Sequence, residues 1–275
     1  MKQKQRYNAL LYGVALLLIS IAVFPVYWVV ITSFKLPATQ YAYPPSYIPL
    51  TFNLTSYEEA ISEQQFLKFF LNSVLITLGT VGLSTSTGTL AGYGFSRWTF
   101  RGSRPLLFWV LMTRMIPPIA IALPFYMLMR EIGLLDTHVA LILAYTSFNL
   151  PFTIWLMTGF FQGIPREMDD AARVDGCSYL GAFFRVVLPV AVPGISAATV
   201  IAALTAWNHY LFALILAPGK AKTMPVAIAS LITDRVINWG IMASGAVICL
   251  IPIVALTVIL QKFLVRGMTL GAVKG

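Results

Sequence analysis

Residues 167–189 read EMDDAARVDGCSYLGAFFRVVLP and begin with a densely charged interruption of a very hydrophobic chain. Of the 275 residues, 58% are hydrophobic and 11% are charged, and the mean hydropathy is +0.80. One soluble core cannot hide that much apolar surface, so the composition indicates a protein whose solvent is the lipid bilayer. The polar segment is therefore predicted to lie outside the bilayer, where a soluble partner can reach it.

Six stretches are long and apolar enough to cross a bilayer as helices, which takes roughly 20 residues. They are residues 9–31, 70–94, 105–129, 138–160, 190–216 and 240–263. The first is too long for a signal-peptide core, so we interpret it as a retained transmembrane helix. The second is unusually polar at 84–87, but its glycines favour close helix packing inside a bundle. These are Gly79, Gly82, Gly88, Gly92 and Gly94. The predicted fold is all-α, a single membrane domain over residues 1–275 with six transmembrane helices.

The distribution of Lys and Arg predicts the orientation of the spans. These residues are about twice as frequent at the two termini and in the loops near 97–104 and 161–189 as in the remaining loops. Both termini and the 161–189 loop are therefore predicted to be cytoplasmic. The pI of about 9.7 does not indicate nucleic-acid binding, because the basic residues flank apolar spans instead of forming one patch. Cys177 and Cys249 favour neither a disulfide nor a metal site.

The polar loop carries local signals for two short helices. Pro165 suits a first helical turn, and acidic residues follow it near the helix N-terminus. Gly176 is a typical C-terminal stop, and Ser178 is a typical N-cap for a second helix that ends at Pro189. The loop is therefore predicted to form a helix-turn-helix.

Within the loop, a spacing of four residues places opposite charges on one helix face. This spacing predicts ion pairs between Arg166 and Asp170 and between Asp169 and Arg173. The second helix carries an apolar stripe made of Tyr179, Leu180, Phe183, Phe184 and Val187. The charge pattern alone leaves two alternatives open: a docking element for a partner, or an ordinary connecting loop on the membrane surface, which is the commoner case.

One motif in the loop favours the first alternative, a docking element for a partner. Its spacing is acid-Ala-Ala-x3-Gly-x9-Val-x-Leu-Pro, carried by Asp170, Ala171, Ala172, Gly176, Val186, Leu188 and Pro189. It resembles the signature of ABC importer permeases that work with a separate binding protein, with Asp170 in place of the usual Glu and Val186 in place of the usual Ile. The resemblance implies a type I importer permease whose loop forms a coupling helix that docks on a separate ATPase subunit. The residues it implies for coupling are Glu167, Asp169, Asp170, Ala171, Ala172, Asp175, Gly176, Leu188 and Pro189.

Further stretches resemble the carbohydrate branch of this family, in particular its smaller, maltose-type permease partner. They are Asn72-Ser73, Arg114-Met115-Ile116-Pro117-Pro118, Gly133-Leu134-Leu135-Asp136-Thr137, Trp207-Asn208 and the tail 266–275. The resemblance implies a heterodimer with a homologous second permease, two copies of an ATPase subunit that bind ATP and Mg, and an extracytoplasmic sugar-binding protein. It also implies that segment 217–239 contacts the binding protein and that the tail 267–275 reaches toward the ATPase dimer. It implies no cofactor in this chain.

Polar residues inside the spans are candidates for the transport pathway. Arg114 lies near the middle of the third span, and no predicted span contains an acid that could pair with it. It therefore either lines the pathway or stabilises a helix break beside Pro117 and Pro118. Asn149 with Pro151 predicts a kink in the fourth span and a lining of a cavity there.

Aromatic and amide side chains cluster at the outer end of the fifth span, at Trp207, Asn208, His209 and Tyr210. Aromatic faces beside amides suit sugar rings and hydroxyls, and an interfacial aromatic belt is the alternative. His209 has no accompanying nucleophile or carboxylate, so it does not indicate catalysis.

The sequence contains no Gly-x4-Gly-Lys-Ser/Thr phosphate-binding loop. The first hypothesis is therefore a non-catalytic permease subunit of the cell (inner) membrane, which moves a carbohydrate while a separate subunit hydrolyses ATP. The alternative is a stand-alone secondary transporter or channel for a small polar solute. Ion-coupled carriers usually need an acid embedded in the membrane, and the predicted spans contain none, whereas a channel does not require one.

Overall fold

The computed structural model describes residues 2–48, 51–232 and 237–272, with the backbone alone at 2–6, 9 and 259–272. Within these ranges the regular structure is helical, apart from one isolated antiparallel bridge between Ile232 and Ile237. The α-helices are α1 (Lys2–Ser33), α2 (Thr55–Ser62), α3 (Phe66–Arg97), α4 (Ser103–Met112), α5 (Pro118–Glu131), α6 (His138–Gln162), α7 (Glu167–Val174), α8 (Tyr179–Ala182), α9 (Leu188–Val190), α10 (Val192–Trp207), α11 (Leu211–Leu216), α12 (Met224–Ala229) and α13 (Trp239–Ala272). The predicted all-α membrane fold is confirmed.

The chain divides into two compact units. The first comprises Met1–Lys68 and Ala227–Ile251, and the second comprises Phe69–Val226 and Pro252–Gly275. In the first unit, the apolar part of α1 has only 6% of its residues buried, so its surface is left for lipid or another chain. The loop 161–189 and the pathway candidates all belong to the second unit.

Four of the predicted spans are single helices long enough to cross a membrane: Leu10–Ser33, Phe66–Arg97, His138–Gln162 and Trp239–Val258. The predicted spans at 9–31, 70–94, 138–160 and 240–263 are therefore confirmed as helices. The last one continues to Ala272. The tail 267–275 lies outside the residues whose side chains are described, and residues 233–236 of the predicted contact segment 217–239 lie outside the described residues altogether.

The predicted third span, 105–129, is not one straight helix. Ser103–Met115 and Pro118–Glu131 meet at 93°. Ile116 has an extended backbone with ψ 123°, because a following proline disfavours the helical conformation, and Pro117 is extended for the same reason. The two adjacent prolines therefore end one helix and begin the next.

The predicted fifth span, 190–216, is interrupted as well. The helical run Tyr179–Val190 meets α10 at 77°, and Pro193 occupies the first turn of α10, where a missing N–H is tolerated. α10 then ends at Trp207, and α11 begins only at Leu211. The part of the chain that the structure describes therefore has four uninterrupted spans, or six if each bent pair crosses the membrane once.

α3 packs against α6 along a line of glycines. A methyl group added to Gly79 would lie 2.6 Å from Ile142 Cδ1, and one added to Gly88 would lie 2.5 Å from Thr153 Cγ2. A methyl on Gly92 would lie 2.7 Å from Met157 Cβ and 2.9 Å from a backbone nitrogen. Close helix contact in a membrane relies on such small residues, because there is no hydrophobic drive between helices in lipid.

We expect Gly92→Ala to destabilise this α3–α6 packing by about 1–3 kcal/mol, since the added methyl meets backbone atoms that cannot move aside. Thermal unfolding of the detergent-solubilised protein measures this. Gly94→Ala is the matched control, because a methyl there meets no described atom within 4 Å. Equal stability of the two variants would contradict the packing.

Three of the four polar residues at 84–87 donate hydrogen bonds to carbonyls of their own helix. Ser84 donates to the carbonyl of Thr80 at 2.7 Å, Ser86 donates to that of Gly82 at 2.6 Å, and Thr87 donates to that of Leu83. Serine and threonine hydroxyls often bond one turn back in this way. These three hydroxyls are therefore satisfied without water, whereas the Thr85 hydroxyl is buried without a hydrogen-bond partner among the described residues.

Candidate functional site

The loop at 167–189 folds as the predicted helix-turn-helix. α7 ends before Gly176, which has a φ of +87° that few other residues adopt. Ser178 then caps the next helix, because its hydroxyl accepts a hydrogen bond from the N–H of Gly181 at 3.1 Å. The chain continues through a single π-helical turn at Phe183–Val187 before α9.

α7 has one buried face and one exposed face. Asp169 and Ala172 point inward, with 9% and 5% of their surface exposed. Glu167, Asp170, Ala171 and Val174 are exposed, and Val174 reaches 87%. The two alanines of the motif therefore differ: Ala171 is available to a partner, whereas Ala172 packs inside the chain.

A buried ion pair fixes α7 to the end of α3. Arg97 Nε lies 2.9 Å from Asp169 Oδ2, and the two side chains are 7% and 13% exposed. The Tyr93 hydroxyl donates to the other carboxylate oxygen of Asp169. Arg97 also donates from Nη1 to the carbonyls of Phe161 at 2.9 Å and Ile164 at 3.2 Å, at the end of α6. We call Tyr93, Arg97 and Asp169 the loop anchor, because they join α7, α3 and α6.

The predicted ion pairs within α7 are wrong. Asp169 faces inward to Arg97, so it cannot reach Arg173, whose guanidinium lies 4.1 Å from the ring centre of Tyr179. Arg166 donates instead to the carbonyl of Ser96 at 3.0 Å. Within the described part of the chain, the carboxylate of Asp170 makes neither a hydrogen bond nor an ion pair. It borders a hollow of about 240 Å³ that the basic side chains also line.

Aromatic packing holds the second half of the loop. The Tyr93 ring lies 4.6 Å from that of Phe183 and 5.5 Å from that of Phe161, and Val187 is fully buried beside them. Of the predicted apolar stripe, only Phe183 and Val187 are buried. Tyr179, Leu180 and Phe184 remain exposed. Of the motif residues that end the loop, Leu188 is partly buried against this cluster and Pro189 is exposed.

Tyr93 and Arg97 were missed as site residues by the sequence analysis. Arg97 was counted only as a charge that sets orientation, and Tyr93 only as part of a span. One signal was available, since a spacing of four residues places both on the same face at the end of α3. Nothing in the sequence identifies Asp169, rather than its neighbour Asp170, as their partner.

The pathway candidates at the end of α10 separate into two groups. Trp207 is 3% exposed and packs edge-on against Phe70, with ring centres 5.7 Å apart, so it is not available to a solute. Asn208, His209 and Tyr210 line an open, mostly apolar cavity of about 750 Å³ next to Pro118. His209 stacks on Tyr145 at 4.6 Å between ring centres, which holds the imidazole in place.

Arg114 lies at the helix break that the prolines create. It belongs to a short 3-10 turn at Thr113–Met115, and its guanidinium lies 5.0 Å from the ring centre of Phe152. Among the described residues, no hydrogen bond joins it to the carbonyls before the break. Asn149 is 4% exposed, so it lies inside the chain, and α6 continues as a helix through Pro151.

These features define a polytopic membrane protein that exposes one face of a short, firmly anchored helix beyond its hydrophobic spans. The model of the family described as the binding-protein-dependent transport system inner membrane component matches residues 84–270. The chain belongs to this family, and it is a permease of an ABC importer. The predicted resemblance is confirmed.

The chain is similar along most of its length to permeases of known systems. It is 36% identical over 262 residues to the trehalose transport system permease SugB of Mycobacterium tuberculosis, covering 94% of this chain and 95% of that one. It is 32% identical over 253 residues to the sulfoquinovosyl glycerol transport system permease SmoH of Agrobacterium fabrum, covering 92% and 89%. A crystal structure of a bacterial ABC transporter that imports alginate shares the fold, with a TM-score of 0.81, 23% identity and coverage of 94% and 97%.

Proposed function

We propose that this chain is the non-catalytic pore subunit of an ATP-driven importer that receives a carbohydrate from an external binding protein and releases it into the cytoplasm. The observation that carries the proposal is the exposed face of α7, which the buried Arg97–Asp169 pair holds rigidly outside the bundle. The carbohydrate class is supported by relatives such as the trehalose and sulfoquinovosyl glycerol permeases.

The proposed partners are a homologous second permease, two copies of an ATPase subunit and an extracytoplasmic sugar-binding protein. ATP and Mg would bind to the ATPase subunits, because this sequence has no phosphate-binding loop of the Gly-x4-Gly-Lys-Ser/Thr type. The Lys and Arg distribution supports an orientation in which both termini and the 161–189 loop are cytoplasmic. The α7 face would then lie on the side where ATP is available.

The loop anchor supplies a route for the energy of ATP binding. If closure of the ATPase dimer moves α7, the Asp169 carboxylate moves the guanidinium of Arg97 at the end of α3. The same guanidinium holds two carbonyls at the end of α6, so both helices follow α7. A shift of packed helices as rigid elements is a common means of switching between two states.

The cavity beside α10 is the proposed place for the solute. Its apolar walls suit the faces of a sugar ring, while Asn208, His209 and Tyr210 offer directional hydrogen bonds. Arg114 lies at the break between α4 and α5, and α5 begins with Pro118 at the wall of this cavity. The break and the cavity are therefore parts of one region.

We expect Arg114→Leu to reduce uptake by about tenfold, which corresponds to roughly 1.4 kcal/mol. The reason is that leucine keeps the bulk at the helix break but removes the positive charge beside Phe152. Uptake of labelled sugar, measured at equal amounts of assembled complex, checks this, with Arg114→Lys as the charge-preserving control. Normal uptake by the assembled Arg114→Leu variant would show that Arg114 has no role in the transport pathway.

The proposed function is tested by purifying the chain in mild detergent with its candidate partners and reconstituting it in vesicles. We expect uptake only when the second permease, the ATPase, ATP and the binding protein are all present. A stable single-chain protein that transports without the ATPase would contradict the proposal and would favour a secondary transporter or channel.

A further inference from the structure

A second polar cluster lies at the other end of the helices that carry the loop anchor. The carboxylate of Asp136, just before α6, accepts hydrogen bonds from three consecutive backbone N–H groups. These belong to Gly219 at 3.1 Å, Lys220 at 2.7 Å and Ala221 at 3.2 Å. A methyl added to Gly219 would lie 2.8 Å from Asp136 Oδ2, so this close approach needs the glycine.

Two neighbouring residues near the start of α3 hold the same segment from its other side. Asn72 donates from Nδ2 to the carbonyls of Lys220 and Lys222, both at 3.0 Å. The hydroxyl of Ser73 accepts from the N–H of Met224 at 2.8 Å. We call Asn72, Ser73 and Asp136 the far-end anchor. It satisfies six backbone groups of residues 219–224 with three side chains.

His138 completes this arrangement through its contact with Asn72. Its Nε2 lies 2.8 Å from Asn72 Oδ1. The Asn72 amide nitrogen already uses both hydrogens on carbonyls, so its oxygen can only accept, and His138 Nε2 must donate. The imidazole thus orients the amide, and it joins the start of α6 to the start of α3.

The charge of Asp136 is maintained at this site. Burial alone would raise the pKa of the Asp136 carboxyl, but the three backbone donors and the ammonium of Lys220 together hold that pKa below its usual value. The carboxylate therefore stays ionised, and its bonds stay made, at every pH where an exposed aspartate is ionised. Charge-assisted bonds of this kind are about twice as strong as neutral ones.

The segment that this anchor holds has a buried base and an exposed tip. Ala221 and Met224 are fully buried, whereas Pro218, Gly219 and Lys220 are exposed. Residues 218–223 contain no helix or strand, so without these bonds the tip would be as mobile as an ordinary loop. A partner that binds an already ordered tip loses less conformational entropy than one that must first order it.

The two anchors lie at opposite ends of the same two helices. From Asn72 to Arg97, α3 spans roughly 37 Å at 1.5 Å per residue, and α6 has a similar length. α6 starts at the far-end anchor and ends at the carbonyls that Arg97 holds. The glycine contacts described above keep α3 and α6 together between these ends.

We propose that Asn72 and Asp136 are positioning residues for the external binding protein, which they serve by fixing the tip at 218–220 to the α3–α6 pair that also carries α7. This inference rests on the proposed function, since it requires a binding protein outside and an ATPase inside. Docking outside and ATP binding inside then act on one rigid pair of helices. In this proposal the effect of Asn72 and Asp136 passes through the backbone of residues 219–222, which their side chains hold.

The test is a titration of the reconstituted complex with its sugar-loaded binding protein, with ATP hydrolysis as the readout. We expect Asp136→Ala and Asn72→Ala each to raise the half-saturating concentration of binding protein about tenfold, with a much smaller change in the maximal rate. In the double variant, we expect the half-saturating concentration to rise by less than the two single effects combined, because both substitutions release the same segment. Asp136→Asn, which keeps one acceptor oxygen, is expected to lie between wild type and Asp136→Ala.

Glu131→Gln is the control, since Glu131 is an exposed acid close to Asp136 in the sequence and makes none of the hydrogen bonds of the anchor. Hydrogen exchange in the same complex adds a measurement independent of the partner: the amides of residues 219–221 are expected to exchange faster in Asp136→Ala than in wild type. If the binding protein does not change the rate of ATP hydrolysis by the wild-type complex, the proposed function is contradicted. If the wild type is stimulated but the assembled variants keep the wild-type half-saturation, or lose only maximal rate, the positioning role is overturned.

Discussion

Reversing the charge of Asp170 is expected to uncouple ATP hydrolysis from uptake. Its carboxylate lies on the exposed face of α7 and has no partner among the described residues, so it is free to meet a basic group on the ATPase subunit. A like-charge contact at an interface costs several kcal/mol. If this contact costs about 2 kcal/mol of binding free energy, the affinity of the Asp170→Lys variant for the ATPase falls roughly 30-fold. Sugar uptake is then expected to fall toward background.

The measurement compares uptake with stimulated ATP hydrolysis in reconstituted vesicles. Asp170→Asn removes the charge without reversing it, so we expect a smaller loss. Glu131→Lys reverses the charge of an exposed acid outside α7, and we expect it to leave the coupling of ATP hydrolysis to uptake unchanged. The thermal stability of Asp170→Lys is expected to stay within about 0.5 kcal/mol of wild type, as for other surface substitutions. Retained coupling in this variant would count against docking at α7.

Substitution of Asp169, the preceding residue, is expected to act in a different way. Asp169→Asn leaves the buried guanidinium of Arg97 without its counter-charge, and breaking a buried pair on one side costs about 3–5 kcal/mol. The variant is therefore expected to lose stability and to expose the loop to protease, with uptake lost as a consequence. Thermal unfolding and limited proteolysis of the purified protein measure this, and Asp170→Asn is the matched control from the same helix.

A paired substitution separates the charge from the packing. Arg97→Met combined with Asp169→Leu replaces both ions with apolar side chains of similar size, which is often neutral or stabilising in a buried site. We expect this double variant to regain only part of the stability that Asp169→Asn loses, because the Tyr93 hydroxyl and the carbonyls of Phe161 and Ile164 lose their partners. If Asp169→Asn is as stable as Asp170→Asn, the ion pair does not hold the loop.

The local design of the loop could be predicted from the sequence because its signals act over a few residues. Gly176 and Ser178 end one helix and begin the next through their own backbone and hydroxyl, and the structure has both features. The partner of Asp169 could not be predicted in this way. Arg97 lies on another helix, and only the packing of α3 against the loop shows that it replaces Arg173 as the partner.

The geometry of the transmembrane spans could likewise be predicted only in part from the sequence. Apolar length located the helical stretches, but it did not predict the 93° bend at Pro117 and Pro118, the 77° bend where the loop meets α10, or the break between Trp207 and Leu211. Burial was equally hard to predict, since Trp207 packs against Phe70 while Asn208, the next residue, lines a cavity. Residues side by side in a pathway motif thus have different surroundings, which only tertiary packing determines.

The central claim is that the exposed face of α7 docks on an ATPase subunit, and cross-linking tests it most directly. Val174 is 87% exposed at the C-terminal end of that face, so Val174→Cys is made in a chain whose Cys177 and Cys249 are replaced by serine. In membranes that carry the whole transporter, we predict a cross-link from residue 174 to the ATPase that changes in yield with ATP, and none from a cysteine at Glu131. An actively transporting complex that gives no cross-link from residue 174 would contradict the account.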